Sequence, residues 1–509
     1  MPRRLFASAF ALLIALQPPM AGAAEPAAAL AFPGLPAPRQ FVTHHKATIG
    51  GAPLAYTVTA GETYLTDRAG EPIGSLFSFA YVKDGPVDPR RPVLFVFNGG
   101  PGSSSLWLQM GVVGPKQVLL GSGVNPSVVP PYPAVDNPDS LLDVADIVFI
   151  DPIGTGFSRI VGKGKAEDFY GYDEDADSVA QFIDLWLSRN GRWNSPKFVM
   201  GESYGSTRAA LLPRALMGGP TYNGVMRGIT LNGIILLGTT LAGNPHAPSD
   251  EDKEASAALA APCYAAAAWY HGRIDRAGRS LAEYYDEVSR FAETDYRSAL
   301  HQAAAGTLAD ETRKAVAARL AAYIGLPVEQ IPADLKLSND GFARKLLADR
   351  GSDIGLYDSR YTLPLAHDGH EPVADDPAMG QYVPGFVAAF HDELSNDLGV
   401  RMDRPYYPIT WRGLLDKWNW DRAQVPPGQS FAQDLATAMR RGGKLQVLVA
   451  SGYYDMVTSP ALARHEIEQA GLPSDRVTFR TYESGHMLYV GGTSKAFADD
   501  VRALIRSAM

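Results

Sequence analysis

Residues 198–216 read FVMGESYGSTRAALLPRAL: an apolar run, a serine between small residues and a helix-compatible segment follow one another directly. The centre, Gly201-Glu202-Ser203-Tyr204-Gly205, is the only Gly-x-Ser-x-Gly in the chain. Small residues around a serine allow a strained strand-to-helix turn that exposes its hydroxyl. The helix that follows presents free N–H groups to developing negative charge. The stretch therefore predicts a buried strand, a nucleophilic Ser203 and a helix.

Short apolar runs recur on both sides of this stretch, at residues 93–97, 147–150, 197–200, 234–237, 445–450 and 477–482. Such runs are typical of strands that are buried on both faces, as in a parallel sheet covered by helices. Helical patterns at residues 176–189 and 431–441 separate some of them. We predict an α/β fold with a mostly parallel central sheet flanked by helices. Alternating residues within 41–83 predict antiparallel strands before it.

The alternation of strands and helices breaks between residues 243 and 430. Helical segments at residues 252–271, 281–304 and 311–324 meet loops rich in Pro, Gly and Asp. We interpret residues 243–430 as a largely helical insertion, or cap, lying over the sheet. The core then comprises residues 41–242 and 431–509, and the Ala- and Pro-rich residues 24–40 are expected to be a flexible tether.

The composition excludes several classes of protein. With 46% hydrophobic and 20% charged residues in 509, the chain is neither disordered, collagen-like nor a coiled-coil fibre. The net charge is −9 and no run of Lys or Arg stands out, which argues against nucleic acid or an anionic membrane surface as a partner. The single cysteine, Cys263, cannot form an intramolecular disulfide. The acidic run at residues 173–177 is interpreted as a solvated helix start.

Residues 1–23 have the three parts of a signal peptide. Arg3 and Arg4 precede the apolar run 5–16, and Ala21-Gly22-Ala23 supplies small residues at the cleavage site. The run is shorter than the ~20 residues that span a bilayer. A buried N-terminal helix or an uncleaved anchor is the alternative. We expect cleavage after residue 23 and an exported protein without membrane insertion, periplasmic or secreted, of a bacterial type.

A serine hydroxyl needs a base to accept its proton, and His486 is the best candidate because it follows the apolar run 477–482. The base needs a carboxylate in turn, and Asp455 follows the run 445–450. A loop aspartate that only makes a turn is the alternative for Asp455. The chain order Ser203, Asp455, His486 is the one that α/β-hydrolases use. The sequence therefore predicts an α/β-hydrolase fold with this catalytic triad.

Other histidines fit catalysis or metal binding less well. His465 lies in a predicted surface helix, and His367 and His370 form a His-x-x-His pair in a Pro- and Asp-rich loop without a third ligand. We expect no metal and no cofactor, because a serine mechanism needs neither.

The stretch Asn98-Gly99-Gly100-Pro101-Gly102-Ser103-Ser104-Ser105 follows the predicted strand 93–97. Glycines let a backbone approach a ligand closely and direct N–H groups at it. Acyl transfer needs two such donors for the oxyanion of its tetrahedral intermediate, and we assign them to the amides of Gly100 and Tyr204. A phosphate-binding loop is the alternative, but the Gly-Lys-Ser/Thr ending is missing.

Together, five stretches resemble the serine carboxypeptidase family, which includes carboxypeptidase Y and cathepsin A: residues 98–105, 151–158, 201–205, 452–455 and 485–487. They occur in the family's order over most of the chain after residue 23. The resemblance implies an α/β-hydrolase that removes C-terminal residues from peptides through an acyl-enzyme, so the expected partners are peptides with a free C-terminus.

The resemblance also implies a role for each matched residue. The triad would be Ser203, His486 and Asp455, and the oxyanion hole Gly100 and Tyr204. In the family the residues at Asn98 and Glu202 bind the terminal carboxylate of the substrate. A carboxylic acid can donate to a carboxylate only while it holds its proton, so this recognition weakens as Glu202 ionises.

The chain departs from the family at three positions. Ser103 stands where many members have a cysteine, and Arg159 where a tyrosine is usual. Val112 stands where many members have a second glutamate paired with the residue at Glu202. Glu202 thereby loses one cause of a raised pKa, and the hypothesis is an activity optimum less acidic than in paired-glutamate members.

Two alternatives stay open at the level of sequence. An esterase or acyltransferase would use the same triad, because an acyl-enzyme can pass its acyl group to water, an amine or an alcohol. A binding protein on a hydrolase scaffold would use none of it. The requirement for a free substrate carboxylate separates the first alternative from a carboxypeptidase.

Overall fold

The computed structural model describes residues 32–509 except 87, 122, 125, 127, 128, 244–247, 366–370, 423, 424 and 426–428. The predicted signal peptide, much of the tether and the pair His367 and His370 lie outside the described residues.

The strands of the described residues are β1 (Gln40–Ile49), β2 (Ala52–Thr66), β3 (Pro72–Lys83), β4 (Val93–Phe97), β5 (Lys116–Val118), β6 (Ala134–Asp136), β7 (Asp146–Asp151), β8 (Arg159–Ile160), β9 (Lys197–Glu202), β10 (Gly218–Gly219), β11 (Val225–Met226), β12 (Gly233–Leu237), β13 (Ser352–Ile354), β14 (Thr362–Pro364), β15 (Gln446–Gly452) and β16 (Val477–Tyr482). The main sheet has the order β1-β2-β3-β7-β4-β9-β12-β15-β16, with β8 beside β3.

The sheet has an antiparallel part and a parallel part. β1, β2 and β3 pair antiparallel, as does β3 with β7, whereas all pairs from β7 through to β16 are parallel. The predicted mostly parallel sheet is thus confirmed, with all six apolar runs as its parallel strands. β16 differs from the expectation of burial on both faces, because it is an edge strand whose residues are largely half-buried or exposed.

The helices of the described residues are α1 (Leu106–Leu108), α2 (Tyr172–Arg189), α3 (Tyr204–Met217), α4 (Asp250–Leu259), α5 (Ala261–Tyr270), α6 (Leu281–Phe291), α7 (Arg297–Ala304), α8 (Asp310–Ile324), α9 (Asn339–Leu346), α10 (Met379–Asp392), α11 (Phe431–Arg441), α12 (Pro460–Gln469) and α13 (Ser494–Ser507). Single π-helical turns continue α1 (Gln109–Val113), α6 (Ala292–Tyr296) and α10 (Glu393–Asp397). None of these helices has the length and apolar character needed to cross a membrane.

Helices cover both faces of the sheet. One apolar cluster joins α1, α10 and α13 to it, and a second joins α2, α3 and α11. Burial of alternate strand residues into the two clusters explains the continuous apolar runs. This is the predicted α/β-hydrolase architecture.

The region 243–430 consists of two differently packed parts. Helices α4 to α9 form an apolar cluster of their own, which includes Cys263 as a buried free thiol. The later part, with α10 and Tyr406, packs into the first sheet cluster, and Trp418 packs into the second. The chain therefore returns to the sheet before α11, and residues from this return reach the site described next.

Candidate active site

The turn between β9 and α3 holds Ser203 in a strained conformation. Its backbone has φ +58° and ψ −129°, a combination that L-residues rarely adopt. The turn also requires glycine on either side, because a β-carbon at Gly201 would lie 2.0 Å from the carbonyl oxygen of Gly205. The predicted strand–serine–helix arrangement is therefore present, and it places Ser203 at the carboxyl end of the central strand.

His486 and Asp455 are joined at the ends of neighbouring strands. Nδ1 of His486 lies 2.8 Å from Oδ2 of Asp455, which is fully buried. The other oxygen, Oδ1, accepts the N–H groups of Val457 (2.8 Å) and Thr458 (2.9 Å). The Thr458 hydroxyl donates to Oδ2. These donors hold the carboxyl group in place, and Asp455 thereby orients the imidazole with Nδ1 toward the acid.

Two contacts bring His486 to the nucleophile turn. The N–H of Ser203 donates to the carbonyl of Leu237 at 2.9 Å. The next residue, Gly238, faces the imidazole, because a β-carbon there would lie 2.9 Å from Cε1 and Nδ1 of His486. Ser203, His486 and Asp455 therefore lie at the same edge of the sheet, although they are up to 283 positions apart in the chain.

The charge environment of His486 contains opposing contributions. Burial acts to lower its pKa, but the Asp455 carboxylate and its hydrogen bond, together with the charges of Glu202 and Asp376, leave the pKa raised above the ordinary value of an imidazole. Tyr357, from the inserted region 243–430, also holds the His486 ring in place. The N–H of His486 donates to the Tyr357 carbonyl at 2.6 Å, and the Tyr357 ring packs edge-on against the imidazole.

The glycine-rich stretch after β4 lies against the start of α3. A β-carbon at Gly99 would be 2.5 Å from the backbone nitrogen of Tyr204, so only glycine allows this approach. Gly100 has φ +105°, which again favours glycine. Among the described residues, the N–H groups of Gly100 and Tyr204 have no backbone acceptor outside regular helix and strand pairing. The arrangement leaves both amides free to bind an oxyanion.

Asn98 and Glu202 are in direct contact. Nδ2 of Asn98 donates to Oε2 of Glu202 at 2.6 Å, while its Oδ1 accepts the N–H of Leu108 at 3.2 Å. That second bond fixes which end of the amide faces the carboxyl. The hydroxyl of Tyr489 donates to the same Oε2 at 2.8 Å.

Burial raises the pKa of Glu202 to about 7, against the nearby charge of His486 and the hydrogen bonds from Tyr489 and Asn98. Val112, at the position of the family's second glutamate, is buried in the first sheet cluster. The raised pKa of Glu202 therefore needs no second carboxylate. Loss of a second glutamate would by itself favour ionisation of Glu202 and so lower its pKa. The hypothesis of a less acidic activity optimum therefore rests on the burial of Glu202, and it stays a prediction.

The interpretation of the acidic run as a solvated helix start is wrong for Asp175. This residue is buried and its Oδ2 accepts Nε of Arg208 at 2.7 Å. Arg208 is fully buried, donates to the Asn98 carbonyl at 2.7 Å and lies over the Tyr204 ring. The packing of α2 on α3 turns Asp175 inward, so this ion pair holds the Asn98 carbonyl and packs against the Tyr204 ring.

Arg159 does not contact the residues of the predicted site. Its guanidinium lies 3.7 Å from Glu62, which also binds Arg404 at 2.8 Å. No group of three or more His, Cys, Asp or Glu in the described part of the chain is arranged to hold a metal ion.

Sequence reasoning missed Thr458, Tyr357 and Tyr489. Thr458 lies three residues after Asp455 and Tyr489 three residues after His486. That spacing within the loops of the triad is the signal that could have found these two. Tyr357 has no such signal, because it comes from the inserted region.

A model of the serine carboxypeptidase family matches residues 64–330, just over half of the chain. The chain belongs to the serine carboxypeptidase family. The matched residues include Asn98, Glu202 and Ser203, and the predicted resemblance is confirmed.

Two curated relatives carry names of this family. The pheromone-processing carboxypeptidase kex1 of Pyrenophora tritici-repentis is 30% identical over 146 residues, which is 28% of this chain and 21% of kex1. Serine carboxypeptidase-like 8 of Arabidopsis thaliana is 31% identical over 141 residues, 26% of this chain and 30% of that protein. The similarity thus spans less than a third of either relative.

Among solved structures, a carboxyl esterase of Bacillus coagulans aligns with 87% of this chain and 98% of its own. It is 14% identical and has a TM-score of 0.36.

Proposed function

We propose that this member of the serine carboxypeptidase family hydrolyses C-terminal residues from peptides through an acyl-enzyme on Ser203. The observation that carries the proposal is a buried carboxyl, Glu202, adjacent in sequence to the nucleophile and bound by Asn98. Neighbouring α-carbons are about 3.8 Å apart. A group that binds a substrate's terminal carboxylate at Glu202 would therefore present the last peptide bond to Ser203.

In the first half-reaction, Ser203 Oγ would attack the carbonyl carbon of that bond while Nε2 of His486 takes its proton. Asp455 holds the Nδ1 proton and stabilises the imidazolium. The N–H groups of Gly100 and Tyr204 would bind the oxyanion. His486 then gives the proton to the leaving amine, the C–N bond breaks, and the C-terminal residue departs.

In the second half-reaction, water would replace the amine. His486 takes a proton from the water as its oxygen bonds to the acyl carbon, and returns a proton to Ser203 Oγ as the ester bond breaks. The same oxyanion donors serve both steps, and the residues present need no added cofactor for this chemistry.

The pH dependence follows from the state of Glu202. Below about pH 7 its carboxyl is mostly neutral and can donate to the substrate carboxylate; above it, the ionised form repels that carboxylate. The Glu202 charge also raises the pKa of His486. Protonation of Glu202 therefore both forms the carboxylate site and helps His486 to remain an unprotonated base.

The test compares the mature protein with Ser203→Ala on an N-blocked dipeptide whose terminal carboxylate is free or amidated. The series runs from about pH 4 to 8, which brackets carboxylic-acid and imidazole ionisation. We expect the last residue to be released from the free acid and not from the amide. We expect Ser203→Ala to reduce this release by a factor of about 10⁴ or more.

Two outcomes would overturn the proposal. Equal turnover of the acid and the amide, or turnover of simple esters alone, would leave the triad in place and favour an esterase or acyltransferase. Unchanged turnover by Ser203→Ala would remove the triad mechanism altogether.

Export is a further part of the proposal, supported by residues 1–23. Arg3 and Arg4, the apolar run and the small residues before position 24 are typical of a cleaved leader. N-terminal sequencing of the protein from fractionated cells should find Ala24 first in the exported fraction. Full-length protein that stays in the cytoplasm would contradict export without bearing on the chemistry.

A further inference from the structure

Tyr489 is a second residue that contacts Glu202. It follows Glu202 in the chain, whereas Asn98 precedes it. Its hydroxyl donates to Oε2 of Glu202 at 2.8 Å, the same oxygen that accepts Asn98 at 2.6 Å. Tyr489 is largely buried and lies in the loop that carries His486. One side chain therefore links the catalytic histidine loop to the carboxyl beside the nucleophile.

The Tyr489 ring is held firmly in this position. The ring lies against Gly111, where a β-carbon would come within 2.2 Å of its Cδ2. Phe386 of α10 also packs against the Tyr489 ring, with ring centroids 6.2 Å apart. Glycine at position 111 thus creates the space for the ring, and α10 closes it.

The geometry has a chemical consequence for Glu202. In a neutral carboxyl, one oxygen carries the proton and the other accepts hydrogen bonds. Asn98 and Tyr489 both donate to Oε2, so the proton belongs on Oε1. A fixed Oε1–H is a directed donor, which is what recognition of a carboxylate needs.

We propose that Tyr489 is a positioning residue for substrate selectivity: its hydroxyl orients the Glu202 carboxyl so that its Oε1–H group donates a hydrogen bond to the terminal carboxylate of the peptide. The role rests on the proposed carboxypeptidase function. It also gives the site a second group on Glu202 in a chain that has Val112, buried and apolar, where other members carry a second glutamate.

The hydroxyl of Tyr489 also favours the ionised form of Glu202, so it holds the pKa of Glu202 below the value that burial and Asn98 alone would set. Removing the hydroxyl should therefore have two separable effects. Substrate binding should weaken, because the carboxyl is less well oriented. The fall in activity at alkaline pH should move to higher pH, because Glu202 keeps its proton longer.

The experiment measures kcat and KM of wild type and Tyr489→Phe on the free-acid dipeptide, and on a p-nitrophenyl ester without a carboxylate. We expect KM for the acid to rise about tenfold, as for loss of one hydrogen bond to an ionisable group, with kcat within about twofold. We expect the alkaline limb of kcat/KM for the acid to shift to higher pH, and ester turnover to fall much less than acid turnover.

Tyr382→Phe is the matched control. Tyr382 is also buried and packs against Phe386, but its hydroxyl has no hydrogen-bond partner among the described residues. It should leave KM and the pH profile unchanged. Gly111→Ala is a second variant, which keeps the hydroxyl but displaces the ring, and it should raise KM for the acid as Tyr489→Phe does.

An unchanged KM and an unmoved alkaline limb in Tyr489→Phe would overturn the role of Tyr489. So would an equal loss of acid and ester turnover, which indicates general damage to the site. If the wild type itself does not prefer the free acid, the proposed function has failed instead, and the two failures are distinguishable.

Discussion

Two buried glutamates, Glu202 and Glu393, have nearly the same electrostatic character and different surroundings. They are 3% and 2% exposed, and burial raises the pKa of each to about 7. Each accepts a tyrosine hydroxyl, from Tyr489 at 2.8 Å and from Tyr81 at 3.0 Å. Glu202 has Asn98 beside it and Ser203 next in sequence, whereas Oε2 of Glu393 has no partner among the described residues.

The difference shows that a shifted pKa does not by itself mark a functional site. Glu393 follows the last residue of α10 and lies beside the first apolar cluster, and burial is the main cause of its raised pKa. Glu202 undergoes the same shift where the strained turn at Ser203 and the free amides of Gly100 and Tyr204 converge. The geometry of the neighbours, not the pKa, supports the role proposed for Glu202.

Asp455 extends the comparison to a buried carboxyl that has hydrogen-bond partners on both oxygens. Two backbone N–H groups, the Thr458 hydroxyl and His486 all bind it. Asp455→Asn keeps the shape but favours the wrong imidazole tautomer, so we expect kcat for the free-acid dipeptide to fall by about 10⁴-fold.

Stopped-flow or endpoint kinetics of Asp455→Asn beside Glu393→Gln would check this expectation. Glu393→Gln makes the same acid-to-amide change in another buried place, and it should leave kcat within about twofold. A fall of less than about tenfold in Asp455→Asn would contradict the assignment of Asp455 as the acid of the triad.

Glu393→Gln should instead act on stability. The pKa of Glu393 is raised on folding, so its contribution is fully present below the unfolded pKa of about 4.5 and is lost as pH rises to about 7. We expect the variant to gain about 2 kcal/mol in free energy of unfolding, relative to wild type, between about pH 5 and 8. Urea unfolding of wild type and variant at about pH 5 and about pH 8 measures this difference. The same difference in free energy of unfolding at both pH values would contradict the expectation.

The fold could be predicted because its signal is local. The interior parallel strands contain short apolar runs, because burial on both faces favours apolar side chains along them. The edge strand β16 was harder, since an edge strand alternates between burial and exposure. The sequence predicts the helices of the inserted region but not how they pack, because that packing depends on contacts with distant parts of the chain.

The residues of the candidate site could be found where a motif fixes them and not where packing does. Residue type and spacing alone identify Ser203 with its flanking glycines and the glycines before α1. Tyr489 meets Glu202 across 287 positions, and Arg208 meets Asp175 through the packing of two helices. Neither contact has a local pattern, and Asp175 was accordingly misread as solvated.

The most direct test of the account is the pH dependence of selectivity: kcat/KM for the free-acid dipeptide divided by that for the carboxylate-free ester. For wild type and Glu393→Gln we predict about a tenfold fall between about pH 6 and 8, because the neutral fraction of a group with a pKa of about 7 falls by that factor. For Glu202→Gln, whose amide cannot ionise, we predict a ratio that does not change with pH. A ratio that falls as steeply in Glu202→Gln as in wild type would contradict Glu202 as the group that reads the substrate's carboxylate.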